Sequence, residues 1–301
     1  MSCATCHQPR HAFADDQIVP TGVLGRKGTR NAPSLAALAI NGPFFWDGRR
    51  DSLQDAAVDP MLHPQEMGLA DDQALQSHLS TPQYIRAFSD AFGGGEVKAP
   101  TKEQVAVALA AYLRQLPRPA SAFDTFYDGH DDSALSRTAK DGLRIFRGKA
   151  GCESCHRMEG VPIHFSDNQF HTTGTGLQTL GDMLPLLTAD VAGQSKDPAA
   201  VGRLVAVRKD LAATGRFVVT HSPADIGLFR TPSLRYVAQT APYMHDGSVA
   251  TLEEAVDQEI YWRSLSSGQP VSLTVPERQA LIAFLRSLSP PVPAPVHAPT
   301  S

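Results

Sequence analysis

Four cysteines stand in the chain, and they fall into two copies of one pattern: Cys3-Ala4-Thr5-Cys6-His7 and Cys152-Glu153-Ser154-Cys155-His156. C-x-x-C-H is the attachment signature of c-type haem. Its two thiols add across the porphyrin vinyl groups, and the adjoining imidazole is held beneath the ring to coordinate iron. Cys3, Cys6, Cys152 and Cys155 are thus expected to carry two haems covalently, with His7 and His156 as proximal ligands. Zinc ribbons use the same cysteine spacing but place their second pair about 15–20 residues on, whereas these pairs lie nearly half the chain apart. A redox C-x-x-C needs a strand-then-helix setting that neither flank resembles. Disulfide frameworks belong to short chains with scattered cysteines.

Elements able to hold two such groups are visible around them. At 301 residues and 32.3 kDa the chain has length for two domains with cores of their own. Hydrophobic residues make up 42% and charged residues 19%, with a net charge of −4. No basic run invites nucleic acid or anionic lipid, and no apolar stretch approaches the roughly 20 residues of a membrane span. Helical signals dominate and strand signals are scarce, so the expected fold is mainly α: two cytochrome c-like domains, each holding one haem, with long loops. The spacing of Val105, Leu109, Tyr112, Leu113 and Leu116 predicts a core helix over 101–116 that stops at Pro117. Thr251 with Glu254, and Thr274 with Glu277, read as capping boxes opening helices at 252–263 and 275–288. A further helix, opened by Ser133 and running to Phe146, leads through Gly148 and Gly151 into the second haem turn. Stretches 17–33, 42–49, 60–70 and 160–232, punctuated by Gly and Pro, read as loops walling a large cofactor.

A linker near Pro117–Asp132 divides an N-terminal domain, 1–130, from a C-terminal one, 131–289, and the Pro-rich tail 290–301 is expected to be disordered. Only Met1 and Ser2 precede the first haem motif, and no charged and apolar export segment is present. Haem c is normally attached outside the bacterial cytoplasm. The expectation is a periplasmic protein whose export signal and first helix precede this sequence, the alternative being that the short N-terminus is genuine.

From Cys3 to about Leu288, several stretches appear in an order that resembles the bacterial di-haem cytochrome c peroxidase and MauG family. They are Arg30-Asn31-Ala32-Pro33-Ser34-Leu35, Phe44-Phe45-Trp46-Asp47-Gly48-Arg49, Glu66-Met67-Gly68, Phe165-Ser166-Asp167 with Phe170-His171, Phe229-Arg230-Thr231-Pro232-Ser233-Leu234-Arg235, and Ala241-Pro242-Tyr243-Met244-His245-Asp246-Gly247. The resemblance implies that the haem of His7 meets hydrogen peroxide and the haem of His156 passes electrons. Glu66 matches the distal acid–base residue, and the chemistry asks for such a carboxylate to take and return a proton; read without the resemblance, it is a surface glutamate. Trp46 matches the tryptophan between the haems, although core packing also accounts for it. Asn31, with backbone carbonyls near Arg230 and Pro232, matches a calcium site between domains, and its bare reading is a turn or cap asparagine. His171 and His245 fit as propionate or supporting partners.

The departures carry meaning as well. Ala56 stands where the family usually has a glutamine. Val19 to Arg30 lacks the histidine that blocks the first iron in many peroxidases, so the first haem is expected to be open. His11 is too near His7 to reach over the ring, and His63 reads as a loop histidine. For the sixth ligand of the second haem, peroxidases supply methionine and MauG tyrosine from the helix after the His-Asp-Gly turn. Here that helix has no methionine, leaving Tyr261, offset by a residue or two, or Met244. The resemblance thus implies an oxidoreductase drawing electrons from a small cytochrome c or cupredoxin, or, as in MauG, from a protein substrate. A non-catalytic di-haem electron carrier and a cysteine-bound zinc module are the rivals.

Overall fold

The computed structural model describes residues 1–38, 42–93 and 98–291; most of the expected tail lies outside the described residues. Ser52, Asp71, Thr81 and Thr101 each accept a backbone N–H and so open α1 (Leu53–Leu62), α2 (Asp72–His78), α3 (Pro82–Phe92) and α4 (Lys102–Arg114). The first three were not legible in the apolar pattern. In α4 the buried positions are Val105, Ala106 and Ala110, while Tyr112 faces out at 64% exposure. Small alanines let α1 approach closely, and Phe44, Leu53 and Ala110 pack at the contact.

The expected linker is itself partly helical. α5 (Ala122–Tyr127) delivers the buried Phe123 into the second half, where its ring centroid lies 5.1 Å from that of Phe165 and 5.9 Å from that of Phe284. Phe123, which precedes residue 130, thus packs in the aromatic cluster of the second half. α6 (Arg137–Arg147) opens at Ser136, whose hydroxyl accepts the Ala139 N–H at 3.1 Å. Ser133 does not open it. Its hydroxyl and N–H both go to Asp131, at 2.6 and 2.9 Å, in a separate short turn.

A larger correction concerns 160–232. That stretch contains α7 (Leu184–Ala192), α8 (Pro198–Val207), α9 (Lys209–Ala212) and α10 (Phe217–Thr220). Leu187, Val191, Val201, Val205, Leu211 and Phe217 close a core of their own between them. Frequent Gly and Pro mark the ends of these short helices, and read along the chain they look like continuous loop. Both C-terminal capping boxes form as expected and open α11 (Leu252–Ser267) and α12 (Val275–Ser287). Strand content among the described residues is one antiparallel pair, β1 (Phe170–His171) on β2 (Phe229–Arg230), with Phe170 opposite Arg230.

The tightest helix contact is α6 on α12. A Cβ at Gly142 would run into the Ala280 carbonyl and crowd Phe284 at 2.8 Å, so glycine sets the spacing of the aromatic core. Gly142→Val is expected to destabilise the holoprotein by about 1–3 kcal/mol or more. Urea unfolding measures this, and an unchanged midpoint would show that the crossing tolerates a wider spacing.

Candidate active site

Each C-x-x-C folds as a single 3₁₀ turn, Cys3–Thr5 and Cys152–Ser154, with the following histidine turned inward. His7 Nδ1 donates to the Phe13 carbonyl at 2.9 Å, and His156 Nδ1 donates to the Phe165 carbonyl at 3.0 Å. Phe13 and Phe165 have left-handed backbones, φ 58° and 53°, which turn those carbonyls toward the rings. With the proton held on Nδ1, the lone pair of Nε2 is free for iron. Burial lowers both imidazoles from their ordinary value and keeps them neutral.

Burial likewise pushes the Cys6 thiol up to about 11 and the Cys152 thiol up to about 12. Neither is poised as the thiolate that zinc or disulfide exchange requires. Among the described residues the one group of converging metal-ligand atoms is Cys155, Asp167 and His171, within 4.8 Å of one another. The two cysteine pairs do not converge in that group.

Glu66 sits in the turn that ends α1. Its N–H donates to the His63 carbonyl at 3.0 Å, and its own carbonyl accepts from Val23 at 2.7 Å. Arg26 reaches across from the 19–30 loop to the Pro64 carbonyl, 2.8 Å away, so that loop backs the Glu66 turn. The carboxylate is 37% exposed and acts electrostatically on both Cys6 and His7, which brings it to the first haem motif. Its supporting residue is His63, read from sequence as a loop histidine. His63 is buried, donates through Nε2 to the Gly202 carbonyl at 3.1 Å, and accepts the Gln65 N–H on Nδ1 at 3.2 Å. Glu66 Oε1 lies 3.5 Å from that Nδ1. Ala56 packs with Phe44 and Leu53 and adds no polar group.

Trp46 lies in a hydrogen-bonded junction between the two halves. Its Nε1 donates to the Asn31 carbonyl at 2.9 Å, the Arg230 N–H donates to the Trp46 carbonyl at 2.9 Å, and the Asn31 N–H donates to the His245 carbonyl at 2.8 Å. Beside it, Asp47 is fully buried against Arg30 at 2.6 Å and Arg49 at 3.1 Å, while Arg216 donates to the Asp47 and Gly48 carbonyls at 2.9 and 2.6 Å. Burial alone would raise the Asp47 carboxyl, yet Arg49 and Arg30 hold it at about 2. Arg230 is buried as well and drops to about 10. Arg30 and Arg49 thus share one buried carboxylate while Arg216 and Arg230 stand beside it on backbone carbonyls and Asn168, and the Nε atoms of Arg30 and Arg49 have no hydrogen-bond partner among the described residues.

The histidines expected near the haems divide. His245 is buried, stacked on Phe229 with centroids 3.7 Å apart, and lowered to about 4 by burial and then by Arg30. His171 is half-exposed and bonds Asp167 through Nε2 at 2.8 Å. Of the expected calcium set, Asn31 directs its amide nitrogen to the Gln17 and Ile18 carbonyls at 3.2 and 3.3 Å, which points its oxygen the other way. The Pro232 carbonyl instead approaches the His156 ring, and the Arg230 side chain bonds Asn168 at 3.1 Å. Tyr261 is 56% exposed on α11. The same helix carries Glu259, whose carboxylate acts on Cys152 and Cys155; burial raises it to about 7 despite Arg263.

A family model described as di-haem cytochrome c peroxidase matches residues 1–132. The whole chain aligns at 33% identity with 79% of cytochrome-c peroxidase IdrP2 of Denitromonas iodatirespirans. At the same identity, 96% of it aligns with 72% of methylamine utilization protein MauG of Methylorubrum extorquens. The chain belongs to the di-haem cytochrome c peroxidase and MauG family. A crystal structure of a MauG-like protein associated with microbial copper homeostasis agrees, with a TM-score of 0.74 and 30% identity over 98% of this chain and 86% of that one. The family makes the protein an oxidoreductase with two haem c groups.

The residues present fit that cofactor. Both imidazoles keep Nε2 free, and the surplus of buried guanidinium with unpartnered Nε atoms suits the carboxylates of haem propionates. The sequence reading missed Arg30, Arg49 and Arg216 as a cluster, because Arg216 comes from the stretch taken for loop. Asp47→Asn is expected to destabilise the holoprotein by about 3–5 kcal/mol at neutral pH, since it strands buried cations. The folded value of about 2 lies below the ordinary 3.8, so the wild-type contribution is complete above 3.8 and lost as pH falls through 2. Acid unfolding curves compare the two proteins; equal slopes between pH 4 and 2 would contradict the role of Asp47.

Proposed function

We propose that the protein reduces hydrogen peroxide to water at the haem of His7, with electrons entering from a small external cytochrome c or cupredoxin through the haem of His156. The observation that carries this reading is Glu66: it lies beside His63, its turn is braced by the 19–30 loop, and its charge acts on His7 and Cys6. Haem iron, when bound, supplies the coordination position for peroxide and exchanges electrons with it. Glu66 takes the proton from one peroxide oxygen and returns it to the oxygen that departs, so that peroxide with two electrons and two protons becomes two waters. His63, its own orientation locked by the Gly202 carbonyl and the Gln65 N–H, walls one side of that carboxylate at 3.5 Å without donating to it. Trp46, pinned at Nε1 and at its carbonyl, keeps an indole at the junction where the electron path crosses between halves.

The haem units in this proposal meet just before Ser121. Asn31 Oδ1 with the Arg230 carbonyl would hold a calcium ion at the junction. A periplasmic location follows from where haem c is attached, and no helix among the described residues is long and apolar enough to cross a membrane. One observation favours a second reading, the MauG-like oxidation of a side chain on a partner protein: the 19–30 loop has no histidine to block the first iron. Two molecules of a small reduced cytochrome oxidised for each peroxide support the first reading, and an oxidised side chain on a co-purified partner supports the second.

The test of both is Glu66→Gln. Stopped-flow reoxidation of the fully reduced protein by stoichiometric peroxide is expected to slow by about 10²–10⁴-fold, with haem content unchanged. Equal rates in the two proteins would leave a di-haem electron carrier.

A further inference from the structure

The two haem-binding halves repeat a common plan, and the repeat singles out one half-buried carboxylate. Phe44-Phe45-Trp46-Asp47-Gly48 and Tyr243-Met244-His245-Asp246-Gly247 form matching turns. Each is closed by an antiparallel bridge, Phe44 with Arg50 and Tyr243 with Val249, and each has left-handed residues at equivalent places: Phe45 and Met244, Gly48 and Gly247. A hydroxyl-capped helix follows each turn at the same distance, α1 from Ser52 and α11 from Thr251. Trp46 thus corresponds to His245, and Met244 to Phe45 rather than to any ligand.

Carried along the two helices, the correspondence places Glu259 of α11 opposite Pro60 of α1. Pro60 has no donor atom, so α1 offers the first haem no ligand there. In α11 the residues around Glu259 are fixed inward: Gln258 Nε2 donates to Thr175 Oγ1 at 2.6 Å, and the Trp262 indole lies against Gly174, whose missing side chain makes room for it. Tyr261 is exposed, and α11 contains no methionine, histidine, cysteine or lysine. Glu259 is the half-buried side chain of α11 that offers an iron ligand, one turn before Arg263, which bonds Ser154 within the Cys152–Cys155 turn.

We propose that Glu259 supplies the sixth ligand of the second haem iron through a carboxylate oxygen. The carboxyl group would give its proton to solvent, and an oxygen lone pair of the resulting carboxylate would form the bond to iron. A hard anionic oxygen favours Fe(III) over Fe(II), so this ligand holds the second haem at a lower potential than a thioether would. Arg263, one turn on and bonded to Ser154 at 2.8 Å, steadies the charge from the haem-attachment side. The inference needs the second haem but not peroxide turnover, so either can fail without the other.

The experiment uses the full chain with both haems in place and reads ferric electron paramagnetic resonance, optical spectra and midpoint potentials of wild type, Glu259→Gln and Glu259→Met. In wild type, the second haem is expected to show an oxygen-ligated ferric signal. Glu259→Gln should lose it and raise the potential, and Glu259→Met should become low-spin with the long-wavelength thioether-to-iron(III) band. A nitrogen- or sulfur-type low-spin signal from the wild-type second haem overturns the proposal without any variant. So does an unchanged spectrum and potential in folded variants, which would leave Glu259 as an ion-pair partner of Arg263 only.

Discussion

The structure depends most on a charge imbalance around Asp47. One fully buried carboxylate faces Arg30 and Arg49 directly, Arg216 grips its backbone, and Arg230 lies buried nearby. Buried cations without partners are among the costliest features a protein can hold. Haem propionates would supply the missing anions. The node also ties the chain together: Arg30 reaches the Ala212 carbonyl at 2.8 Å, and Arg216 comes from α10's leading edge, so the helices of the 184–220 stretch are anchored to the first half through the same charges.

That anchoring gives the extra helices a chemical role. α8 presents the Gly202 carbonyl to His63, which leaves its Nδ1 facing Glu66. A helix more than a hundred residues along the chain thus orients the histidine beside Glu66. The junction of Trp46, Asn31, His245 and Arg230 then couples both haem turns through three backbone-directed hydrogen bonds. A side chain fixed at both ends in this way loses little further entropy when it acts, which is what preorganisation means at a reacting centre.

The two halves start from one plan and diverge at a few positions. Both hold a proximal histidine through Nδ1 to a phenylalanine carbonyl in a left-handed turn. At the equivalent position of the repeated turn one half has an indole, Trp46, and the other a buried imidazole, His245, lowered to about 4. On the following helix one half has Pro60 and the other Glu259. A first site with nothing to coordinate and a second with a carboxylate suits unequal tasks for two chemically identical cofactors.

Covalent spacing was enough to read the haems: C-x-x-C-H fixes thiol and imidazole within five consecutive residues, so no folding is needed to bring them together. The capping boxes at Thr251 and Thr274 were legible for the same reason, since a cap bonds its own first turn. The mainly helical class followed from patterning. What the sequence could not decide was every feature assembled across long separations. Ser133 and Ser136 are both plausible caps, and only the competing bonds of Asp131 choose between them. Tyr261 and Glu259 lie on one helix two residues apart, and the direction each faces is set by the packing of Trp262 on Gly174. His63 became more than a loop residue only when α8 folded against it, because the hydrogen bond that orients it comes from a carbonyl more than a hundred residues away.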